Sequence, residues 1–141
     1  MEARGFEVEL QLVDHNREQV IARLRGRGDG CKLMFNGHLD VDPPCVGWTM
    51  DPWKPVKKEG RVYGAGLINM KAGVTAMVIA ALALKEVSVE LNGDVIVAAV
   101  VGELEGGTGT IHLLKNGPKP DAAVVTEPTN LKVSTVQAGV T

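Results

Sequence analysis

Residues 32–40, KLMFNGHLD, decide the fold and carry the first polar residues of interest. The apolar run Leu33–Phe35 predicts a buried strand, and Asn36–Gly37 predicts a turn where that strand ends. His38 and Asp40 follow at a spacing of two, which places both side chains on one face of an extended backbone. Open α/β sheets bind ligands at the carboxyl ends of their strands, and imidazole is the commonest metal ligand. The stretch therefore predicts a ligand site at a sheet edge.

Strand and helix patterns alternate along the rest of the chain. Strands are predicted over Phe6–Val13, Gln19–Leu24, Cys31–Phe35, Arg61–Tyr63, Asp94–Val101, Ala122–Thr126 and Leu131–Val136, helices over Met70–Glu86 and Gly106–Lys115, and an ordered surface loop over Asp42–Lys58. The run Asp94–Val101 is unbroken and β-branched, which favours a central strand covered on both faces, and Ala122–Thr126 predicts another buried strand. Such alternation indicates an α/β fold with a mainly parallel sheet and flanking helices.

Composition narrows the class of protein. Hydrophobic residues make up 45% and charged residues 23% of the 141 residues, and the net charge is -2. These values argue against disorder and against nucleic acid or an anionic membrane surface as partners. No apolar run in the sequence is expected to span a bilayer, and the N-terminus lacks an apolar signal region. Cys31 and Cys45 are expected to be reduced packing thiols, so a cytoplasmic location is predicted.

Polar residues follow each of four predicted elements. His38 follows one strand, Asn69 and Lys71 follow the glycine turn after another, and Glu103 and Glu127 follow two buried strands. The carboxyl ends of parallel strands share one edge of a sheet, so we expect these side chains to converge there. A histidine with several carboxylates suits zinc or manganese, and a glutamate outside the metal shell could act as general base on a water.

Each residue also has a simpler interpretation. His38 alone could be a hydrogen-bonded histidine at a strand end, Asp40 a turn cap, Glu103 a solvated residue at a helix N-terminus and Glu127 an ordinary loop residue. The turn Gly64–Gly66 invites comparison with dinucleotide-binding loops, but the third glycine of that motif is missing, so nucleotide binding is a weak alternative.

Five blocks occur in order along the chain: GHLDV (37–41), GWTMDPW (47–53), GRVYGAGLINMKAG (60–73), VVGELEGGTG (100–109) and DAAVVTEPTN (121–130). Together they closely resemble the metallohydrolase family of acetylornithine deacetylase, succinyl-diaminopimelate desuccinylase, aminoacylase and glutamate-type carboxypeptidases. The resemblance implies a zinc-exopeptidase-like fold and hydrolysis of amide bonds in N-acyl amino acids and small peptides, with zinc ions and a glutamate base.

Site residues are carried over from the family one by one. His38 matches the first metal-binding histidine, Asp40 the aspartate that orients it, Glu103 the general base and Glu127 a carboxylate ligand of one metal. Asn69 stands where the family usually has the aspartate that bridges both metals. Leu104 stands where the family usually has a second glutamate ligand.

These two departures limit the metal content. A neutral amide cannot supply the negative bridge between two dications, and leucine has no donor atom. The expected metal ligands are therefore His38 and Glu127, with Asn69 as a poor third, and at most one ion of zinc, cobalt or manganese. Glu105 lies one residue too late for the missing ligand and would reach the site only if its loop is remodelled.

The resemblance covers only the N-terminal part of a catalytic domain. It implies that the lid and dimerisation domain, and a further metal-binding histidine, are absent from residues 1–141, that the full-length protein forms a homodimer, and that this fragment alone is inactive. Two hypotheses follow: a metal-dependent amide hydrolase acting on a small-molecule substrate, or a non-catalytic binding module that kept the fold and lost the metals.

Overall fold

A computed structural model of the chain describes residues 1–135. The strands are β1 (Glu7–Asp14), β2 (Arg17–Leu24), β3 (Leu33–His38), β4 (Val56–Lys58), β5 (Arg61–Tyr63), β6 (Val95–Val100) and β7 (Ala122–Val125), and the helices are α1 (Ala72–Glu86) and α2 (Thr108–Asn116). An irregular turn, Leu67–Lys71, leads into α1. The expected α/β class is confirmed, and the strands and helices fall close to the predicted positions.

Five strands form the main sheet in the order β1-β2-β6-β3-β7, and β4 and β5 form a separate hairpin. The sheet is mixed: β1-β2 and β2-β6 are antiparallel, whereas β3 pairs in parallel with both β6 and β7. In this register His38 lies opposite Val100, and Asn36 lies opposite Val125. The three parallel strands therefore end side by side, which is the arrangement that the site requires.

Each face of the sheet packs against one helix. On one face, Met77 and Ala81 of α1 pack with Phe6, Ala22 and Val97. On the other face, Leu113 of α2 packs with the buried side chains of the strands, which are Ile21, Met34, Ile96, Ala98 and Val100. Because β6 contributes to both clusters, it is covered on both faces, as its unbroken apolar sequence predicts.

Three expectations are wrong. The strand β7 is exposed along its whole length, because it forms the edge of the sheet and, among residues 1–135, has no strand beyond it. Residues 131–135 form no strand, and Val136 lies outside the described residues. Both cysteines are exposed, so they are not packing thiols. In addition, the predicted loop contains the short strand β4, which pairs with β5.

One helical stretch is apolar enough to pass a length-and-composition test for a membrane span. It runs over Leu67–Glu86, 20 residues, and contains an 18-residue window with a mean hydropathy of 1.8. Only 17% of that window is buried, although Met77 and Ala81 lie against the sheet. A helix packed on a sheet has the same composition, so this finding is weak evidence for a membrane segment.

Candidate metal-binding site

His38 occupies the end of β3 and is almost completely buried, with 2% of its surface exposed. Its backbone N–H points at the sulfur of Met70, 3.1 Å away in the turn before α1. The neighbouring residue Leu39 is also fixed, because its N–H donates to Val100 O (2.8 Å). The imidazole is therefore held rigidly at the junction of β3 and β6.

The contact of His38 with Asp40 indicates which ring nitrogen carries the proton. Nδ1 lies 2.9 Å from the backbone oxygen of Asp40, and because a carbonyl only accepts, Nδ1 carries the proton. In the neutral ring Nε2 then presents a lone pair, which is the state that a metal requires. The contact also shows that the main chain of Asp40 orients the ring, whereas its carboxylate oxygen Oδ1 is 3.6 Å from Nδ1.

Nε2 of His38 is surrounded by oxygen atoms from three other elements. Asn69 Oδ1 lies at 2.9 Å, Glu127 Oε1 at 3.6 Å and Glu103 Oε2 at 3.9 Å. The two glutamates follow β7 and β6, and their side chains are 35% and 42% exposed. The strand ends thus bring His38, Asn69, Glu103 and Glu127 together around one nitrogen.

Asp40 joins the β3 end to the loop after β6. Its Oδ2 accepts a hydrogen bond from the backbone N–H of Leu104 at 3.0 Å. Burial by itself raises the pKa of Asp40, but amide hydrogen bonds, chiefly from Leu104, lower it more, so the pKa lies below its usual value. Its other oxygen, Oδ1, is buried without a hydrogen-bond partner. Asp40 is therefore an ionised anchor for the loop that carries Glu103.

Glu127 has the opposite electrostatic environment. Burial raises its pKa above the usual value, and the negative charge of Glu103 raises it further, while His38 opposes the shift. Two carboxylates beside one buried imidazole disfavour each other's charge, so a cation placed among them would relieve the repulsion.

Lys71 and Asn69 lie in the turn that precedes α1. The Nζ of Lys71 donates to the backbone oxygen of Leu39 at 3.1 Å, so this cation braces the segment between His38 and Asp40. The backbone angles of Asn69 are non-helical, which directs its amide towards the His38 ring instead of along the helix axis.

Glu105 does not join the site. Its Oε2 forms an ion pair with Arg17 Nη2 at 2.8 Å, on the side of the loop that faces the β1-β2 turn. Leu104 contributes only its backbone N–H, and its side chain offers no donor atom. The role of Arg17 could not be predicted from the sequence, because its partner lies 88 positions away and no motif connects them.

Among residues 1–135, the donor atoms around His38 Nε2 offer a ligand pair for one metal ion and no charged group that bridges to a second. Two ligands of a tetrahedral zinc lie about 3.4 Å apart, and the distance from His38 Nε2 to Glu127 Oε1 is 3.6 Å. Asn69 adds a neutral oxygen, which cannot bridge two dications. Within residues 1–135, no group of three or more His, Cys, Asp or Glu side chains is arranged to hold an ion. The histidine and one glutamate thus form a minimal ligand pair.

Comparisons with known proteins agree on one family. Residues 34–141 match Peptidase family M20/M25/M40. The chain is 33% identical over 133 residues to the N-formyl-4-amino-5-aminomethyl-2-methylpyrimidine deformylase of Bacillus subtilis (strain 168), covering 92% of the chain and 31% of the relative. It is 36% identical over 124 residues to the succinyl-diaminopimelate desuccinylase of Wolinella succinogenes, covering 84% of the chain and 33% of the relative. The chain spans about a third of the length of these curated relatives.

Solved structures share the fold. Human carnosine dipeptidase 1 superposes with a TM-score of 0.71 at 22% identity, over 89% of this chain and 30% of that one. A metallo-carboxypeptidase from Sulfolobus solfataricus gives a TM-score of 0.69 at 24% identity, over 86% of this chain and 28% of that one. At these identities the structures establish the fold alone.

Proposed function

The chain belongs to peptidase family M20/M25/M40, and from that premise we propose that it is the first part of the catalytic domain of a metal-dependent amide hydrolase. The proposed substrates are N-acyl amino acids or small peptides. The observation that carries the proposal is the meeting of Glu103 and Glu127 at Nε2 of the buried His38, within 3.9 Å.

The residues of the site take distinct roles in this proposal. His38 and Glu127 hold one divalent ion, with the amide oxygen of Asn69 as a weak third ligand. When bound, the ion polarises the scissile carbonyl and makes a neighbouring water more acidic. Glu103 has no hydrogen bond that restrains its carboxylate among the described residues, which suits a group that takes a proton from water and gives it to the leaving amine.

Asp40 and Lys71 support the reacting groups without contacting the substrate. The backbone carbonyl of Asp40 keeps the proton on Nδ1 of His38, so Nε2 stays available. The carboxylate of Asp40 holds the Leu104 amide, next to Glu103. Lys71 donates a hydrogen bond to the backbone oxygen of Leu39, which lies between His38 and Asp40 in the chain.

A second candidate function is a binding module without catalysis. Asn69 lies within hydrogen-bond distance of His38 Nε2, and Leu104 supplies no metal ligand. Without a metal, Nε2 can accept a hydrogen bond from Asn69 once the amide turns its NH2 group towards the ring. This candidate predicts that the site binds a small molecule without hydrolysing it.

Hydrolysis of N-acetyl and N-succinyl amino acids in the presence of zinc, cobalt or manganese tests the proposal. Because the chain spans about a third of its relatives, we expect no turnover from residues 1–141 alone. A chimaera in which residues 1–141 replace the matching third of the Wolinella desuccinylase should be active.

In the chimaera, Glu103→Gln should lower kcat by at least about 100-fold, the lower limit for loss of a general base. Glu90→Gln, an exposed carboxylate paired with Arg27, is the matched control and should retain activity. Full activity of Glu103→Gln would overturn the assignment of the base, and an inactive chimaera with unchanged ligand binding would favour the binding module.

A further inference from the structure

The position of Glu103 is set by backbone contacts of its loop and not by contacts of its own side chain. The loop 102–107 that carries it turns at three glycines with positive φ: Gly102, Gly106 and Gly107. Both Gly106 N–H and Gly107 N–H donate to Glu103 O at 3.1 Å. The carboxylate itself is 42% exposed. A loop of this kind keeps its carboxylate aimed at His38 only if the loop is anchored to the rest of the fold.

Two anchors directly follow Glu103 in the chain. The N–H of Leu104 donates to Asp40, just beyond the end of β3, at 3.0 Å. The carboxylate of the next residue, Glu105, reaches Arg17 at the start of β2, at 2.8 Å. The two anchors act on successive residues and pull towards different strands, so together they fix the orientation of the Glu103 backbone.

Arg17 is itself preorganised for this contact. Its Nε and Nη2 donate to the two carboxylate oxygens of Asp14 at 2.7 and 2.6 Å, a bidentate pair within the β1-β2 turn. The same Nη2 also bonds Glu105, so one guanidinium links the turn to the loop after β6. The bond with Asp14, and then the bond with Glu105, raise the pKa of Arg17 above its usual value, so the guanidinium stays charged.

We infer that Arg17 is a positioning residue for the general base: through Glu105 it fixes loop 102–107 and thereby the direction in which Glu103 faces His38. The inference rests on the proposed function for its catalytic meaning, but the anchoring itself is independent of turnover. The pair is partly exposed, with 35% of Arg17 and 62% of Glu105 accessible, so it contributes little to folding stability.

Amide hydrogen exchange of the full 141-residue chain tests the anchoring. Arg17→Met and Glu105→Gln should each speed exchange of the amides at 104–108 by about two- to fivefold, the range expected for an exposed ion pair. Glu105→Gln leaves the Arg17–Asp14 pair intact, so exchange within β1 and β2 should not change. Arg17→Lys keeps the charge and should restore most of the protection.

Arg4→Met is the matched control, because Arg4 forms an exposed ion pair with Glu86 at 3.0 Å, at the far end of α1. It should leave the 104–108 amides unchanged. Unaltered exchange of those amides in both Glu105→Gln and Arg17→Met would overturn the inference.

Kinetic measurements on the chimaera distinguish an effect on the position of Glu103 from an effect on folding. Glu105→Gln should lower kcat and leave KM unchanged, because substrate binding does not use Glu103. An equal kcat in the variant and the parent would overturn the catalytic role. If the parent chimaera hydrolyses nothing, the proposed function has failed, and the exchange measurement alone decides whether Arg17 anchors the loop.

Discussion

The side chain at position 69 contacts the nitrogen that we propose binds the metal, because Asn69 Oδ1 lies 2.9 Å from His38 Nε2. An amide at this distance offers a neutral oxygen, whereas a carboxylate would offer a charged ligand that can also bridge two ions. The difference of one charge therefore governs how strongly the site attracts a dication.

Asn69→Asp should bind zinc or cobalt at least about tenfold more tightly than the wild type, because it adds a negative ligand beside His38 and Glu127. Titration with cobalt, followed by its visible absorption, measures both affinity and coordination. Asn69→Ala is the control, since it removes the amide without adding charge and should not tighten binding. Equal affinity of Asn69→Asp and the wild type would contradict this account of position 69.

Asp94 is the best-paired buried carboxylate outside the site. Its Oδ1 accepts from Gly26 N–H at 2.9 Å, and its Oδ2 accepts from Arg23. Asp94→Asn should lower the free energy of unfolding by about 1.5–3 kcal/mol, as expected for hydrogen bonds to a charged group. Glu90→Gln, in an exposed pair with Arg27, should cost about 0–1 kcal/mol in the same urea titration.

The same residue makes stability depend on pH. Burial raises the pKa of Asp94, but the Gly26 amide and Arg23 lower it more, so the folded pKa lies below its usual value. Its stabilising contribution is therefore complete above that value and is lost as the pH falls through the lower folded pKa. Urea titrations in acid should show a steeper loss of stability in the wild type than in Asp94→Asn, and parallel curves would contradict the assignment.

At the scale of single residues, the gathering of His38, Glu103 and Glu127 could be predicted because each follows a strand, and parallel strands end at one edge. The anchoring of Glu105 by Arg17 could not be predicted. It depends on which face of a loop turns towards the β1-β2 turn, and local sequence does not encode that.

At the scale of elements, α1 packs unusually close to the end of β7. A Cβ added to Gly73 would lie 2.0 Å from the backbone oxygen of Thr126, so only glycine permits this approach. Thr126 precedes Glu127, and its N–H donates to Asn36 O at 3.2 Å. The start of α1 thus helps to set the position of Glu127, the proposed metal ligand.

Gly73→Ala should lower the free energy of unfolding by about 1–3 kcal/mol through overpacking. This destabilisation is opposite to the usual effect of replacing glycine by alanine in a helix, which raises the free energy of unfolding. The control Ala76→Gly, at an exposed position of α1, should cost about 1 kcal/mol through helix propensity alone. A stabilised Gly73→Ala variant in urea unfolding would show that the contact with Thr126 is not tight.

The burial of a strand is harder to predict from sequence than the strand itself. The runs that form β6 and β7 are both apolar, yet β6 is buried and β7 is exposed. Their difference arises from position in the sheet, since β6 has neighbours on both sides and β7 has a neighbour on one. Periodicity predicts that a strand forms, whereas the neighbours it acquires depend on the whole topology.

At the scale of the whole molecule, apolar side chains remain uncovered at both edges of the sheet. On β1, Leu10 and Leu12 are 62% and 59% exposed, and on β7, Val124 and Val125 are 46% and 58% exposed. An unpaired edge strand with apolar faces favours association with another chain. These exposed side chains lie on strands that have no further strand beside them among the described residues.

Residues 1–141 should therefore associate with rising concentration in sedimentation velocity experiments. Val125→Lys should shift the chain towards monomer, because a lysine on an edge strand disfavours pairing. Val46→Lys is the control, since Val46 is fully exposed in a loop and its replacement should not change the association. A wild-type chain that stays monomeric at all concentrations would contradict this prediction.

The metal content of the purified protein after exhaustive dialysis tests the central claim most directly. Among the described residues, His38 and Glu127 are the proposed metal ligands, the neutral amide of Asn69 cannot bridge two ions, and the side chain of Leu104 cannot bind one. We predict at most one zinc ion per chain, lost entirely in His38→Ala. Two tightly held zinc ions per chain, or zinc that persists in His38→Ala, would contradict the account.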